Sequence, residues 1–185
     1  MNIWHRADPS RIKPESFLAC VEISKGSKNK YELDKYSGGL ILDRVLYTAT
    51  HYPQNYGFIP RTYAGDGDPL DVLVICSESI VPLALVECYP IGMLEMIDGG
   101  AVDTKILAIP FNDPINNCFT DIKQLPDHLL QEIKHFFEVY KQLEGKDTVV
   151  NKIRGKALAM DTIAECIKAY NEKFPDKNYD YRVKH

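Results

Sequence analysis

Three carboxylates fall within six residues in the segment Asp66-Gly67-Asp68-Pro69-Leu70-Asp71, directly before an apolar run at 72–75. Crowded carboxylates repel one another, and a hard divalent cation relieves that repulsion because Mg²⁺ and Ca²⁺ prefer oxygen ligands. The segment does not match an EF-hand loop, since Pro69 and Leu70 interrupt the required order of acidic residues. Asp, Gly and Pro are also ordinary turn residues. Alone, the segment fits either a metal site for phosphate chemistry or a turn that opens a strand.

Further acidic and basic side chains alternate along other predicted strands. Lys30 and Glu32 lie two residues apart and therefore share one face of a strand, and Asp103 and Lys105 repeat that spacing after a turn that contains Asp98. Each residue taken singly is more often solvated or in a weak surface pair. Together they resemble a metal and polyanion pocket, because diphosphate hydrolysis requires metal ions, basic groups and a carboxylate that accepts a proton. The set also includes Glu22 and Arg44.

The elements that must position these side chains follow an α+β pattern. Short strands alternate with turn residues in the first two-thirds of the chain, and helical periodicity takes over in the last third. Glycine-containing corners between short strands indicate a small barrel. The predicted strands are 17–23, 30–33, 39–46, 71–75, 84–96 and 105–109, with turns at 25–27 and 98–100.

Two amphipathic helices are predicted after the strands. The first begins at Pro126 or Asp127 and is capped by Gly145, and the second begins after Gly155 and ends at Pro175. Each has one apolar face, so both are predicted to pack outside the barrel. The apolar positions are Leu130, Ile133, Phe137 and Tyr140 in the first helix and Met160, Ile163, Ile167, Tyr170 and Phe174 in the second.

The composition of the 185 residues, 45% hydrophobic and 26% charged, is typical of one globular domain over 1–185. A net charge of −4 without a basic run argues against nucleic acid and anionic membranes as partners. No apolar stretch approaches the roughly 20 residues that span a bilayer, and the first residues lack the layout of a signal peptide. We therefore expect a cytoplasmic protein.

The cysteines indicate neither a disulfide framework nor a zinc site. They are five in number, widely scattered and never arranged as Cys-x-x-Cys. We interpret them as small buried hydrophobic residues. Their positions are Cys20, Cys76, Cys88, Cys118 and Cys166.

The chain resembles the family I soluble inorganic pyrophosphatases of the bacterial type, whose signature is Asp-x-Asp-Pro-hydrophobic-Asp. The segment 66–71 fits this signature at every position. The resemblance continues in order over about residues 17 to 145. The matching segments are 21–23, 30–34, 43–44, 52–60, 98–105 and 136–141.

This resemblance implies a five-stranded OB-like barrel with two main helices outside, and hydrolysis of inorganic pyrophosphate to two phosphates by metal-activated water without a covalent intermediate. It implies several Mg²⁺ ions per site and Asp68 as the general base. The implied metal ligands are Asp66, Asp71 and Asp103 for the activating ions, Asp98 with Asp103 for the ions that arrive with substrate, and Glu22 and Glu32 as outer carboxylates. The implied phosphate contacts are Lys30, Arg44, Tyr56, Lys105, Tyr140 and Lys141, with Tyr52 nearby in support.

Two other functions fit parts of the sequence. A non-catalytic OB-like module for oligonucleotides requires a positive groove with stacking aromatic residues, which the acidic cluster and the net charge oppose. An Mg²⁺-dependent phosphoesterase acting on nucleotides or phosphomonoesters requires only the carboxylates. Four further side chains favour a diphosphate, because they suit two phosphoryl groups. These are Lys30, Arg44, Tyr56 and Lys105.

Subunit assembly is the remaining expectation. The chain length and pattern resemble the hexameric branch of the family, and homo-oligomers favour closed point groups, so we predict a homohexamer. The segment 146–152 lacks the tryptophan that many bacterial relatives carry there, and the polar tail 176–185 contains Tyr179 and Tyr181. The tail and the second helix are candidate subunit contacts, and Trp4 is either an interface residue or a core residue.

Overall fold

The computed structural model describes residues 2–177 and consists of a β-barrel flanked by helices. Within this range the strands are β1 (Phe17–Ile23), β2 (Asn29–Leu33), β3 (Leu40–Val45), β4 (Asn55–Phe58), β5 (Asp71–Val74), β6 (Leu85–Asp98), β7 (Ala101–Pro110) and β8 (Thr148–Gly155). The α-helices are α1 (Ile3–Arg6), α2 (Asp127–Val139) and α3 (Lys156–Lys173). No helix among the described residues is long and apolar enough to cross a membrane.

Five strands close into a ring in the order β1-β4-β5-β7-β6, because β6 pairs back with β1. All neighbours in the ring are antiparallel except β5 and β7, which run parallel. This closure confirms the predicted five-stranded OB-like barrel. Strand β8 extends the sheet along β6, and β2 and β3 form a separate two-stranded hairpin.

The parallel β5–β7 pair places opposite charges side by side. Its register sets Asp71 against Lys105 and then continues through buried apolar residues. Strand β4 pairs with the other edge of β5 and also with β1. It lies so close to β1 that a Cβ on Gly57 would lie 1.9 Å from the carbonyl oxygen of Cys20. Only glycine permits this approach. Strands β1, β4, β5 and β7, which carry charged residues, are therefore closely packed at the centre of the barrel.

Each main helix packs against a different core. Adjacent residues of β5 point to opposite faces, so Leu73 packs in one cluster with Ile133 of α2, whereas Val72 packs in another with Ile163 of α3. Both predicted helices are confirmed as external layers. The first ends earlier than predicted, at Val139, and Gly145 instead ends a following 3₁₀ turn, Gln142–Glu144, in a left-handed conformation with φ of 69°.

Several local expectations are corrected by the structure. The short strand β4 and the strand β8 were not predicted, and β7 begins at Ala101 rather than at residue 105. The interpretation of the cysteines as buried holds for Cys20 and Cys88 but is wrong for Cys118, whose side chain is exposed, while Cys76 and Cys166 are half-buried. All five thiols are free.

Trp4 is a core residue within this chain. Its side chain is only 4% exposed, and its indole Nε1 donates a hydrogen bond to the Thr62 carbonyl oxygen at 2.8 Å. The helix that carries it, α1, is therefore fastened to the loop that precedes the acidic segment. The tail residues Tyr179 and Tyr181 lie outside the described range.

Asp113 anchors the far end of the β5–β7 pair. Its buried carboxylate accepts hydrogen bonds from the backbone amide of Ser77 at 2.8 Å, from the amide of Ile115 at 3.0 Å and from Asn116 Nδ2 at 2.7 Å. Burial raises the pKa of Asp113, but these hydrogen bonds outweigh burial and hold the pKa well below its usual value. The ionised form therefore stabilises the loop after β7.

We expect Asp113→Ala to lower the free energy of unfolding by about 2–4 kcal/mol, because several charge-assisted hydrogen bonds are lost at a buried site. A depressed pKa stabilises the folded state above the unfolded value of 3.8, and this stabilisation is lost as the pH falls through the folded pKa. Urea denaturation at pH 7 and pH 3 should therefore show a smaller difference between variant and wild type at pH 3. The exposed neighbour Asn112→Ala is the matched control.

Candidate active site

A cavity of about 240 Å³ opens where the β2–β3 hairpin, the acidic segment and the end of α2 meet the barrel. Its carboxylates are Glu22, Glu32, Asp66, Asp68, Asp71, Asp98 and Asp103, and its lysines are Lys30, Lys35, Lys105 and Lys141. Tyr56 and Tyr140 also line it. The structure thus brings together every predicted site residue except Arg44.

Lys105 lies at the centre of the cavity wall. Its side chain is 2% exposed, and its Nζ lies 2.5 Å from Asp71 Oδ2 and 2.6 Å from Asp103 Oδ1. Nζ also lies 5.6 Å from the centroid of the Tyr56 ring. Burial alone lowers the pKa of Lys105, but attraction to the two carboxylates outweighs burial and raises it. The ammonium group therefore remains charged and draws the two aspartates together.

The acidic segment is both a turn and part of the charged wall, so the two interpretations of residues 66–71 are compatible. The Asp68 amide donates to Asp66 Oδ1 at 3.0 Å, and Gly67 takes a φ of 89°, which favours glycine. The Ala64 amide closes the turn by donating to the Asp68 carbonyl oxygen at 2.7 Å. The Asp68 carboxylate forms an ion pair with Lys35 and its side chain is 49% exposed. Asp68 therefore lies at the rim, in contact with solvent.

Glu22 fastens the hairpin to the barrel. It belongs to β1, and its buried carboxylate accepts a hydrogen bond from the Leu33 backbone amide at 2.7 Å. Burial, the largest influence, raises the pKa of Glu22 to about 8. On the hairpin itself, Lys30 forms an ion pair with Glu32, as their shared strand face predicted. Glu22 and this pair are thus held on one wall of the cavity.

The opposite wall is formed by the end of α2 and the β6–β7 turn. Lys141 forms an ion pair with Asp98, which ends β6. Burial raises the pKa of the Tyr140 hydroxyl above its usual range, so the phenol stays neutral at ordinary pH. Adjacent positions of one helix point about 100° apart. Both side chains reach the cavity because α2 has already ended at Val139.

Two charged positions differ from the sequence-based set. Lys35 was missed, although it directly follows the matching segment 30–34. Arg44 does not line the cavity: it faces Lys30 across the hairpin and forms ion pairs with Asp43 and Glu144. Tyr52 is buried beside the site, with its ring centroid 5.4 Å from that of Tyr56.

The charge balance of the cavity suits hard cations. Even with Glu22 protonated at neutral pH, six carboxylates face four lysines, so the lining is net negative. Burial and the neighbouring Asp71 also raise the pKa of Asp103, although Lys105 lowers it. The available donors are carboxylate oxygens, the ligands that Mg²⁺ prefers. Among residues 2–177 no three acidic, histidine or cysteine side chains converge on one point, because lysine ammonium groups lie between the carboxylates.

Comparison with known proteins points to one family. A family model described as inorganic pyrophosphatase matches residues 19–171, which include every charged residue of the cavity. The chain is 46% identical over 172 residues to soluble inorganic pyrophosphatase 2 of Chlamydomonas reinhardtii, covering 92% of this chain and 89% of that protein. Among solved structures, inorganic pyrophosphatase from Helicobacter pylori has a TM-score of 0.86 at 42% identity, covering 90% of this chain and 99% of that one. The enzyme from Thermus thermophilus has a TM-score of 0.84 at 39% identity, with coverages of 89% and 95%.

Proposed function

The chain belongs to the inorganic pyrophosphatase family, and from this premise we propose how its charged cavity hydrolyses inorganic pyrophosphate to two phosphates. The observation that carries the proposal is the alternation of carboxylates and lysines around one cavity, with the buried Lys105 between Asp71 and Asp103. Pyrophosphate carries several negative charges, so its site must combine cations with groups that hold further cations. Binding pyrophosphate requires neither an aromatic surface that stacks on a nucleobase nor a positively charged groove for oligonucleotides.

Carboxylates on three sides of the cavity would hold Mg²⁺. These are Asp66, Asp71, Asp98 and Asp103, with Glu22 and Glu32 as outer carboxylates. When bound, Mg²⁺ supplies Lewis-acid polarisation of phosphoryl oxygens and lowers the pKa of a coordinated water. The fit rests on the donor chemistry and on the excess of negative charge described above.

Asp68 is the proposed general base. Its position at the rim lets it accept a proton from the attacking water and pass it to solvent, because half of its side chain is exposed. Asp71 is deeper and tied to Lys105, which suits a ligand rather than a proton carrier. No side chain acts as a nucleophile in this proposal, so water attacks phosphorus directly.

Basic and phenolic groups bind the two phosphoryl groups. Lysines on opposite walls can neutralise oxygens at either end of the substrate, since Lys30 stands on the hairpin and Lys141 beyond α2. The neutral hydroxyls of Tyr56 and Tyr140 donate hydrogen bonds to phosphoryl oxygens. Lys105 contributes from the barrel wall, whereas Arg44, the cross-strand partner of Lys30, lies outside the cavity lining and would have to turn toward the substrate to contribute.

A phosphate-release assay at fixed Mg²⁺ tests this assignment. We expect rapid release from pyrophosphate and at least about tenfold slower release from ATP and from a phosphomonoester, because the site has groups for two phosphoryl units and none dedicated to a nucleoside. Faster turnover of ATP or of the monoester would instead support the phosphoesterase function. Equal rates with heat-denatured protein would show that the release is not enzymatic.

We also propose that residues 1–185 form one cytoplasmic domain that assembles as a homohexamer. The Helicobacter pylori and Thermus thermophilus chains are matched almost end to end, which supports a single catalytic domain of similar size. Light scattering at micromolar concentration should give about six times the 21.0 kDa chain mass. A monomer mass would refute any oligomer, whereas a dimer would refute only the hexameric assembly.

A further inference from the structure

Lys35 is the cavity lysine that keeps the most contact with solvent. Its side chain is 47% exposed, whereas the side chains of Lys30, Lys105 and Lys141 are 16%, 2% and 14% exposed. Among the described residues its ammonium group has one ion-pair partner, the Asp68 carboxylate, whose side chain is itself 49% exposed. An ion pair this open to water contributes little to stability. The ammonium group can therefore exchange Asp68 for another anion at low cost.

The backbone that carries Lys35 is held in place, so only its side chain has to move. Lys35 lies in the turn between β2 and β3. In this turn the Asp34 carboxylate accepts hydrogen bonds from the backbone amides of Tyr36 and Ser37, each at 3.1 Å. The Lys35 carbonyl oxygen accepts a further hydrogen bond from Asn2 Nδ2 at 2.8 Å. The ammonium group therefore turns about a fixed anchor at the rim of the cavity.

The contact with Asp68 places Lys35 beside the reacting atoms of the proposed reaction. A general base lies about 2.6–3.2 Å from the water it deprotonates, and the attacking oxygen lies about 3–3.5 Å from the atom it attacks. The attacked phosphorus is therefore within roughly 7 Å of the Asp68 carboxylate. A lysine whose ammonium group already touches that carboxylate can reach the phosphoryl oxygens by rotation about its flexible four-carbon stem.

We propose that Lys35 is a further catalytic residue, which leaves Asp68 when substrate binds and donates hydrogen bonds to the phosphoryl group that water attacks. Lys35 transfers no proton in this role. Its positive charge neutralises phosphoryl oxygens, and its departure leaves the Asp68 carboxylate open to accept the proton of the water. The inference rests on the proposed function, because it takes Asp68 as the base that adjoins the attacking water.

The first test is kcat/KM for pyrophosphate at saturating Mg²⁺. Lys35→Met removes the charge and keeps an aliphatic side chain, and we expect a loss of roughly 10–100-fold, the usual contribution of a hydrogen bond to a charged group. Lys35→Arg should restore part of the loss. Lys134→Met is the matched control and should equal wild type, because Lys134 is 49% exposed and pairs with Glu138 outside the cavity. An unchanged kcat/KM in Lys35→Met would overturn the inference while the proposed function stands.

A double variant separates contact with substrate from support of Asp68. If Lys35 acted only by holding the Asp68 carboxylate, Lys35→Met would have no further effect in the Asp68→Asn background. Contact with the phosphoryl group predicts instead that Lys35→Met lowers kcat/KM in that background by a factor similar to its effect on wild type. A double variant equal to Asp68→Asn would show that Lys35 is only a positioning residue and would overturn the proposed contact.

Binding without turnover gives a readout that does not depend on catalysis. Methylenediphosphonate has a carbon in place of the bridging oxygen of pyrophosphate and is not hydrolysed, so its calorimetric titration at fixed Mg²⁺ reports phosphoryl contacts. Lys35→Met should raise its dissociation constant roughly tenfold, and the difference from wild type should shrink as salt is raised, because a half-exposed charge is screened. Equal dissociation constants would contradict the contact. Tighter binding by a wild type that does not hydrolyse pyrophosphate would overturn the proposed function and support the phosphoryl contact of Lys35.

Discussion

Asp68→Asn should lower kcat by about 10²–10⁴-fold, the usual contribution of a general base, while leaving the affinity for Mg²⁺ close to wild type. The amide keeps the size of the side chain but does not accept the proton of the attacking water. Metal affinity should persist because Asp68 lies at the rim, paired with Lys35, rather than among the deeper carboxylates. Phosphate release measures kcat, and calorimetric titration with Mg²⁺ alone measures affinity independently of turnover.

Asp71→Asn is the matched comparison, and the expected result is different. Asp71 opens β5 opposite Lys105, and in the proposed assignment its charge helps to hold Mg²⁺. Losing that charge should weaken Mg²⁺ binding in the titration, and activity should recover partly as Mg²⁺ is raised. A larger shift of the Mg²⁺ curve for Asp68→Asn than for Asp71→Asn would show that the two roles are exchanged. No change in kcat or affinity for either variant would refute both roles.

Lys105→Met should destabilise the metal-free protein by about 2–4 kcal/mol. Removing one partner of a fully buried ion pair costs about 3–5 kcal/mol, and the value is reduced here because Asp71 and Asp103 are partly exposed. The two aspartates, both bonded to the same ammonium group, then repel each other. Catalysis should also fall, by about 10²–10³ in kcat/KM, as when a preorganised donor is removed from an active site.

Urea denaturation of Lys105→Met in excess chelator measures this loss, and Lys134→Met, an exposed lysine of α2, is the control. Adding Mg²⁺ should stabilise Lys105→Met more than wild type, because a bound cation relieves the repulsion that the substitution creates. Equal stability of the variant and wild type in chelator would show that Lys105 does not hold the aspartates together.

Periodicity and turn chemistry were sufficient to predict most of the barrel. The main helices and five of the six predicted strands appear within a few residues of their expected positions, whereas β7 begins at Ala101, four residues early. The short strand β4 was missed because Gly57 lacks β-propensity, and its place depends on the close approach to β1. Strand β8 was missed because its polar alternation pairs only with the edge of β6. Such elements depend on tertiary partners that no local pattern specifies.

The residues of the candidate site likewise fall into those that the sequence pattern predicted and those that depend on tertiary contacts. The acidic segment was visible because its carboxylates are adjacent in sequence, and the spacing of Asp103 and Lys105 was visible because both lie on one strand, β7. Lys35 was not, since it acquires its importance only from a partner distant in sequence, Asp68. The oxygen-rich lining indicates the class of metal, whereas the number of ions depends on geometry that ligand binding sets.

Trp4 is an intrinsic fluorescent probe of the cavity. It is the single tryptophan of the 185 residues, it lines the cavity, and Lys35 Nζ lies 5.8 Å from its ring centroid. Indole emission responds to nearby charge, so any event that draws Lys35 away from Asp68 and toward an anion changes the light that Trp4 emits. We therefore expect the tryptophan emission of unlabelled protein to change when an anion occupies the cavity, which would report binding without a dye, a coupling enzyme or turnover.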